Sequence, residues 1–182
     1  VNAVIGPDLT HALGLDPSRM GLLTSTYFLA FAAAQLPLGL LLDRFGPRRV
    51  EATLLLFAAA GALTFSQADN LADLVIGRAL IGFGVSACLM ASFKANVLFF
   101  ARERLPLVNG LILASGGLGA LSATAPIEAA LHVTDWRGVF LVLAGLTLVE
   151  AAALFLLVPE RGTSGASLGG LGHQLRDTGQ IY

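Results

Sequence analysis

Arg78 and Lys94 stand inside a long apolar stretch, Leu71 to about Phe100, where a charged side chain is costly and therefore informative. A base at the centre of a membrane-crossing helix costs roughly 2.5 to 3.5 kcal/mol on insertion scales, so it is expected to face a polar cavity or to reach an interface. Gly82 and Ser86 follow Arg78 at four-residue spacing, which gives it a small-residue face that could border a cavity or receive a neighbouring helix. Lys94 comes sixteen residues after Arg78, a rise of about 24 Å and a turn of about 160° around a straight helix. Either the helix twists around a cavity that both reach, or only one of them touches a solute while the other extends its charge to the interface.

Three further polar positions fall within or beside apolar blocks. Gln35, with Pro37 two residues on, suggests a polar and kinked place near the interior of its helix. Glu128, just after Pro126, is expected at the outer end of its block, and Glu150 lies deeper in its own, where a carboxyl could relay a proton or pair with a base. Metal and covalent chemistry find no support. There is one cysteine, Cys88, no His or Cys group at metal-ligand spacing, and no nucleophile signature. "GFGVSA" fits a dinucleotide-binding pattern but lies inside an apolar run rather than at a strand-to-helix turn, so its glycines mean close helix packing. Neither an enzyme nor a bound cofactor is expected.

These residues sit in a chain of 182 residues that is 55% hydrophobic and only 13% charged. An ordinary soluble domain carries about a quarter charged residues. Mean hydropathy is +0.78, and the net charge of −1 gives no reason to propose nucleic acid as a partner. The apolar residues gather into Ser18 to Leu42, Val50 to about Ser66, Leu71 to about Phe100, Leu105 to Leu131, and Trp136 to Val158. Each approaches the ~20 residues needed to cross a bilayer as a helix. A run such as "LLLFAAAG" lacks the alternation a barrel strand requires. The expected fold class is all-α, a polytopic membrane helix bundle of five complete spans, with "VNAVIG" read as the last turns of a first helix that begins before Val1.

Loop bases set the expected orientation, because Lys and Arg are retained on the cytoplasmic side. Arg44, Arg48, Arg49, Arg102, Arg104, Arg161 and Arg176 fall on one side, and only Arg19 and Arg137 on the other. Residues 43–49, 101–105 and 159–182 are therefore expected in the cytoplasm. The last of these, rich in glycine and serine, reads as a linker or short helix and not as a span.

The loop "GLLLDRFGPRR" has an order that charge alone does not explain. Gly39 would let helices approach, Asp43 could cap a helix or pair with a base, and Gly46-Pro47 would force the turn. Gly39, Asp43, Arg44, Gly46, Arg48 and Arg49 resemble the loop signature of the major facilitator superfamily (MFS), with Pro47 standing before the arginine pair. "RALIGFGVSA" resembles its fourth helix, the glycine-rich "NGLILASGGLGALSATAP" its fifth, and "DWRGVF" the entry to its sixth.

That resemblance implies residues 1–158 as the amino-terminal six-helix bundle of a twelve-helix transporter, its first helix truncated, and 159–182 as the start of a central cytoplasmic loop. It implies alternating access around a midplane site, a gating role for the 39–49 loop, and helix packing at Gly82, Ser86, Gly116, Gly117 and Gly119. Arg78, Lys94 and Gln35 become cavity candidates, and Glu150 and Glu128 candidates for a proton or an ion pair. The expected function is secondary active transport of a small organic or inorganic anion in a bacterial inner membrane. Its partners would be the solute, a proton or other coupling ion, the bilayer, and a carboxy-terminal half of the same protein. Proton-coupled drug efflux, or a truncated membrane protein that transports nothing, are the alternatives.

Overall fold

The structure, a computed structural model, describes residues 2–159, so the expectation for the 160–182 segment lies outside the described residues. The chain forms α1 (Asn2–Leu13), α2 (Pro17–Phe45), α3 (Pro47–Ser66), α4 (Leu71–Gly84), α5 (Cys88–Phe99), α6 (Leu105–Ser122), α7 (Thr124–Leu131) and α8 (Trp136–Leu157). A 3-10 turn, Arg102–Arg104, joins α5 to α6, and there is no strand among the described residues. Five segments are long and apolar enough to cross a membrane: α2, α3, α4 with α5, the turn with α6 and α7, and α8. The protein is an integral, multi-pass, all-α membrane bundle.

Helix ends are written into the sequence. Asp16, Asn70 and Asp135 accept hydrogen bonds from the backbone N–H of Arg19 (2.8 Å), Asp73 (3.1 Å) and Gly138 (2.9 Å), capping α2, α4 and α8. These three caps mark one end of the bundle. The other end carries the turn between α2 and α3, where Gly46 has φ +80° and ψ 159°, a region essentially closed to residues with a Cβ. Its N–H closes α2 on the Leu42 carbonyl at 3.1 Å, and Pro47 opens α3 at a position where its missing N–H costs nothing. Arg44, Arg48, Arg49, Arg102 and Arg104 make this the basic end.

Helix α3 is the hub, packed chiefly against α4 and α8. Gly61 and Gly77 let α3 and α4 touch backbone to backbone. A Cβ on Gly61 would meet the Ile81 nitrogen and the Leu80 Cβ at 2.7 Å, and one on Gly77 would meet the Gly61 carbonyl and the Phe65 Cβ at 2.9 Å. Gly84 presses on Ala58 of α3, while Gly82, on another face, presses on the Tyr27 carbonyl of α2. Helix α4 is thus wedged between α2 and α3. Phe65 forms the centre of the larger apolar cluster, with its ring 4.2 Å from that of Phe140 and 5.8 Å from that of Trp136.

Four glycines expected at close helix contacts meet none among the described residues. Gly116, Gly117 and Gly119 have nothing within 4 Å of a built Cβ, and neither has Gly39, because α6 and the outer face of α2 have no close neighbour there among the described residues. The tightly packed inter-helix glycines lie on α3 and α4, and the expected Gly82 is one of them.

Two expected continuous spans are also interrupted. Pro126 has no N–H for the Ser122 carbonyl, and α6 gives way to α7 at Ala123. Between α4 and α5, Ser86 N–H bonds Phe83 O and Cys88 N–H bonds Val85 O, each at 3.3 Å, a tightened three-residue pattern after two glycines. In lipid every freed backbone group needs an internal partner. The Gln35 amide of α2 supplies one, donating to the Ser86 carbonyl at 3.0 Å.

The α3–α4 crossing makes a direct prediction. Gly61→Val and Gly77→Val should each destabilise the detergent-solubilised protein by about 1 to 3 kcal/mol, the range for overpacking, whereas Gly116→Ala should not lower its thermal midpoint. Equal midpoints for all three variants would show that the crossing is not tight.

Candidate functional site

Arg78 lies seven residues after the start of α4, a rise of about 10 Å into the span from the capped end. It is only 7% exposed. Its guanidinium carbon sits 4.6 Å from the centre of the Phe65 ring and 5.4 Å from that of Phe140, so α3 and α8 present π faces to the cation. Among the described residues no carboxylate pairs with it, and its buried Nε has no hydrogen-bond partner. It opens onto a cavity of about 560 Å³ whose wall includes Thr24 and Tyr27 of α2, Ala62 of α3, and Phe140 and Thr147 of α8. Desolvating a guanidinium costs several kcal/mol, and a desolvated cation–π contact returns about 2 kcal/mol. Two rings therefore hold the charge but leave it short of an anion.

The other candidates are not gathered around Arg78. Gly82 and Ser86 give no open face: Gly82 is filled by the Tyr27 backbone, and the Ser86 hydroxyl donates to the Phe83 carbonyl at 2.7 Å. Gln35 spends its amide nitrogen on the α4–α5 break and leaves a buried Oε1 without a partner. Lys94 is at the basic end, ion-paired with Asp43 and 23% exposed, so the loop motif on α2 is tied to α5. Arg44 sits 5.4 Å from the Phe45 ring and Arg49 is exposed. Arg48 lies 4.6 Å from the Phe155 ring of α8. Glu128 faces a shallow hollow with Val4 and His132 at the capped end. Glu150 borders a separate cavity at the basic end.

Several residues of consequence escaped the sequence reading. Tyr27 and Phe65 carry no sequence signal of their own and Phe140 only closes "DWRGVF"; their spatial convergence on Arg78 is what distinguishes them. Glu51, 7% exposed in the second turn of α3, hid behind the arginines before it. Its signal was available, since "VEATLLLF" puts an acid at the head of an apolar run. Arg137 stands in the sequence as a loop base and as the arginine of "DWRGVF", with no contact legible for it. It donates to the Ser66 carbonyl and to Asp69 Oδ1, both at 3.1 Å, and stacks 4.6 Å from the Trp136 ring, so it clamps α8 to the α3–α4 turn.

Comparison with known proteins places this geometry in a family. A sequence model described as Major Facilitator Superfamily matches residues 1–177. The chain is 30% identical over 157 residues to a probable L-galactonate transporter of Escherichia coli (strain K12), covering 84% of this chain and 34% of the relative. It is 26% identical over 154 residues to a putative multidrug resistance protein, MdtD, of Klebsiella pneumoniae (strain 342), covering 85% and 33%. To a probable sulfoacetate transporter, SauU, of Cupriavidus necator it is 24% identical over 146 residues, covering 80% and 34%. The chain spans about a third of the length of these curated relatives. With the loop order, the glycine-packed fourth span and the Trp-Arg clamp now accounted for in space, the chain belongs to the major facilitator superfamily.

Proposed function

We propose that this chain is the amino-terminal bundle, residues 1–158, of a secondary active transporter that carries a small organic anion by alternating access, with 159–182 leading into a central loop. The observation that carries the reading is Arg78: a buried guanidinium, held by two aromatic faces, beside a cavity, with no carboxylate to neutralise it among the described residues. A carboxylate or sulfonate of the solute would supply the missing charge through a charge-assisted hydrogen bond, bidentate where the fork is free. Tyr27, across the cavity on α2, offers a hydroxyl partner for the rest of the solute, while the Thr24 hydroxyl beside it donates to the Met20 carbonyl at 3.1 Å. Two of the relatives are named for acidic solutes, L-galactonate and sulfoacetate, which supports an anion. No part of the reading needs a catalytic group or a cofactor.

The basic end is the cytoplasmic one by the loop count, in a bacterial inner membrane, and the partner is a second bundle of the same protein that closes the cavity. In this arrangement the Asp43 to Lys94 ion pair belongs to the gate. It ties the α2–α3 turn to the end of α5, and its exposed setting limits its worth to about 1 kcal/mol, small enough to break and reform in each cycle. The multidrug relative keeps efflux of apolar compounds as the second reading, favoured by the aromatic walls contributed by Tyr27, Phe28 and Phe140.

Two outcomes are expected in proteoliposomes of the complete transporter. Arg78→Ala should abolish uptake of L-galactonate and sulfoacetate, with Arg78→Lys retaining a few per cent, while membrane insertion is unchanged. Full activity in Arg78→Ala, or export of a lipophilic dye in its place, would remove the anion reading. Asp43→Lys should slow transport at least tenfold with little change in thermal midpoint, and adding Lys94→Asp should restore most of the rate. No recovery in the double variant would detach the pair from gating.

A further inference from the structure

We propose that Glu51 is a proton-binding site, sharing its cavity with Glu150, that exchanges protons with the aqueous phase at the basic end and is separate from the Arg78 cavity. The cavity measures about 320 Å³ and lies between α3, α5, α6 and α8. Glu51 is 7% exposed, lines this space, and its Oε2 is buried with no hydrogen-bond partner. A buried carboxylate oxygen with no hydrogen-bond partner is costly, and a proton on that oxygen removes the larger part of the cost, that of the buried charge.

The ionisable groups facing Glu51 support a proton over any other cation. On its own helix, one turn back, Arg48 borders the cavity, yet its guanidinium lies against the Phe155 ring and its buried Nε has no hydrogen-bond partner. From α5 comes the thiol of Cys88, and from α8 the carboxyl of Glu150. Helix α6 contributes the apolar Ile112, and no residue of α2 or α4 borders the cavity. No group of three or more His, Cys, Asp or Glu that could hold a metal ion exists among the described residues, and Arg48, turned onto the Phe155 ring, leaves the Glu51 oxygen to a proton. The Glu150 carboxyl in the same small space makes a negative charge on Glu51 costlier still, so a proton on Glu51 is the stable occupant.

Pro47, Phe99 and Pro159 border the same space, which puts its mouth where the helices end. The proton therefore arrives from water and returns to it, converting carboxylate to carboxylic acid with no other bond made or broken. Its role as the coupling proton rests on the transport reading above; proton binding itself does not.

The test is pH-difference infrared spectroscopy of the complete protein in lipid vesicles. The expected result is a carboxylic-acid carbonyl band that titrates with pH, is lost in Glu51→Gln, shifts its midpoint in Glu150→Gln, and persists in Arg78→Ala and Glu128→Gln. Persistence in Arg78→Ala separates this proposal from the anion reading, since either can then fail alone. An unchanged band in Glu51→Gln, or no titrating band in the wild-type protein, overturns it. So does displacement of the band by sodium at constant pH, which would make the site one for a metal cation. Should Glu51→Gln fail to fold, Glu51→Asp is expected to displace the band, and a band at the wild-type position would again overturn the proposal.

Discussion

The backbone contact between α3 and α4 at Gly61 and Gly77 is what the rest of the bundle depends on. In lipid there is little hydrophobic gain from bringing two apolar helices together, so association relies on close packing and on the few polar bonds that packing permits. With Gly61 and Gly77 facing one another, α4 comes near enough for Gly84 to rest on Ala58 and for Phe65 to lie beside Gly77. The residue after Gly77 is Arg78. One step around the helix from the contact, it is delivered against the same Phe65 and against the Phe140 ring of α8 that packs on it. The crossing thus positions the charge, and the charge is buried because the crossing is tight.

That tightness has a cost on the other side of α4. Gly82 admits α2 so closely that the Tyr27 carbonyl occupies the place of a side chain. A stretch carrying Gly77, Gly82 and Gly84 is a poor helix former, and the helix breaks at residues 85–87. Soluble proteins would leave such a break to water. Here Gln35, reaching across from α2, bonds the Ser86 carbonyl, and the Ser86 hydroxyl bonds the Phe83 carbonyl. Gln35 is therefore explained by the backbone it completes before any solute is invoked.

Much of this was legible in the residues. Span number follows from hydropathy, and the Gly46-Pro47 turn follows from stereochemistry alone. Arg78 stood out because a base in an apolar run needs a reason. What was not legible depends on facing. Glycines on α6 and on α4 look alike in sequence, but Gly77 meets a helix and Gly116 meets none among the described residues. A rise of about 24 Å from Arg78 already puts Lys94 toward the far end of their span, but its pairing across to Asp43 of α2 depends on facing. Glu51 was masked by its position, since an acid beside three arginines reads as interfacial until its burial is seen.

Helices α3 and α8 border both cavities, and this has a mechanical consequence. Toward the capped end, Phe65 of α3 and Phe140 of α8 hold Arg78; toward the basic end, the same pair of helices carry Glu51 and Glu150. Cores are close-packed and shift between discrete arrangements, not by smooth deformation. A change in charge on the Glu51 side that moved α8 against α3 would therefore alter the packed Phe65 and Phe140 rings on which Arg78 rests, without any polar group connecting the two. Coupling in this bundle needs no wire of hydrogen bonds, only two helices that wall both spaces.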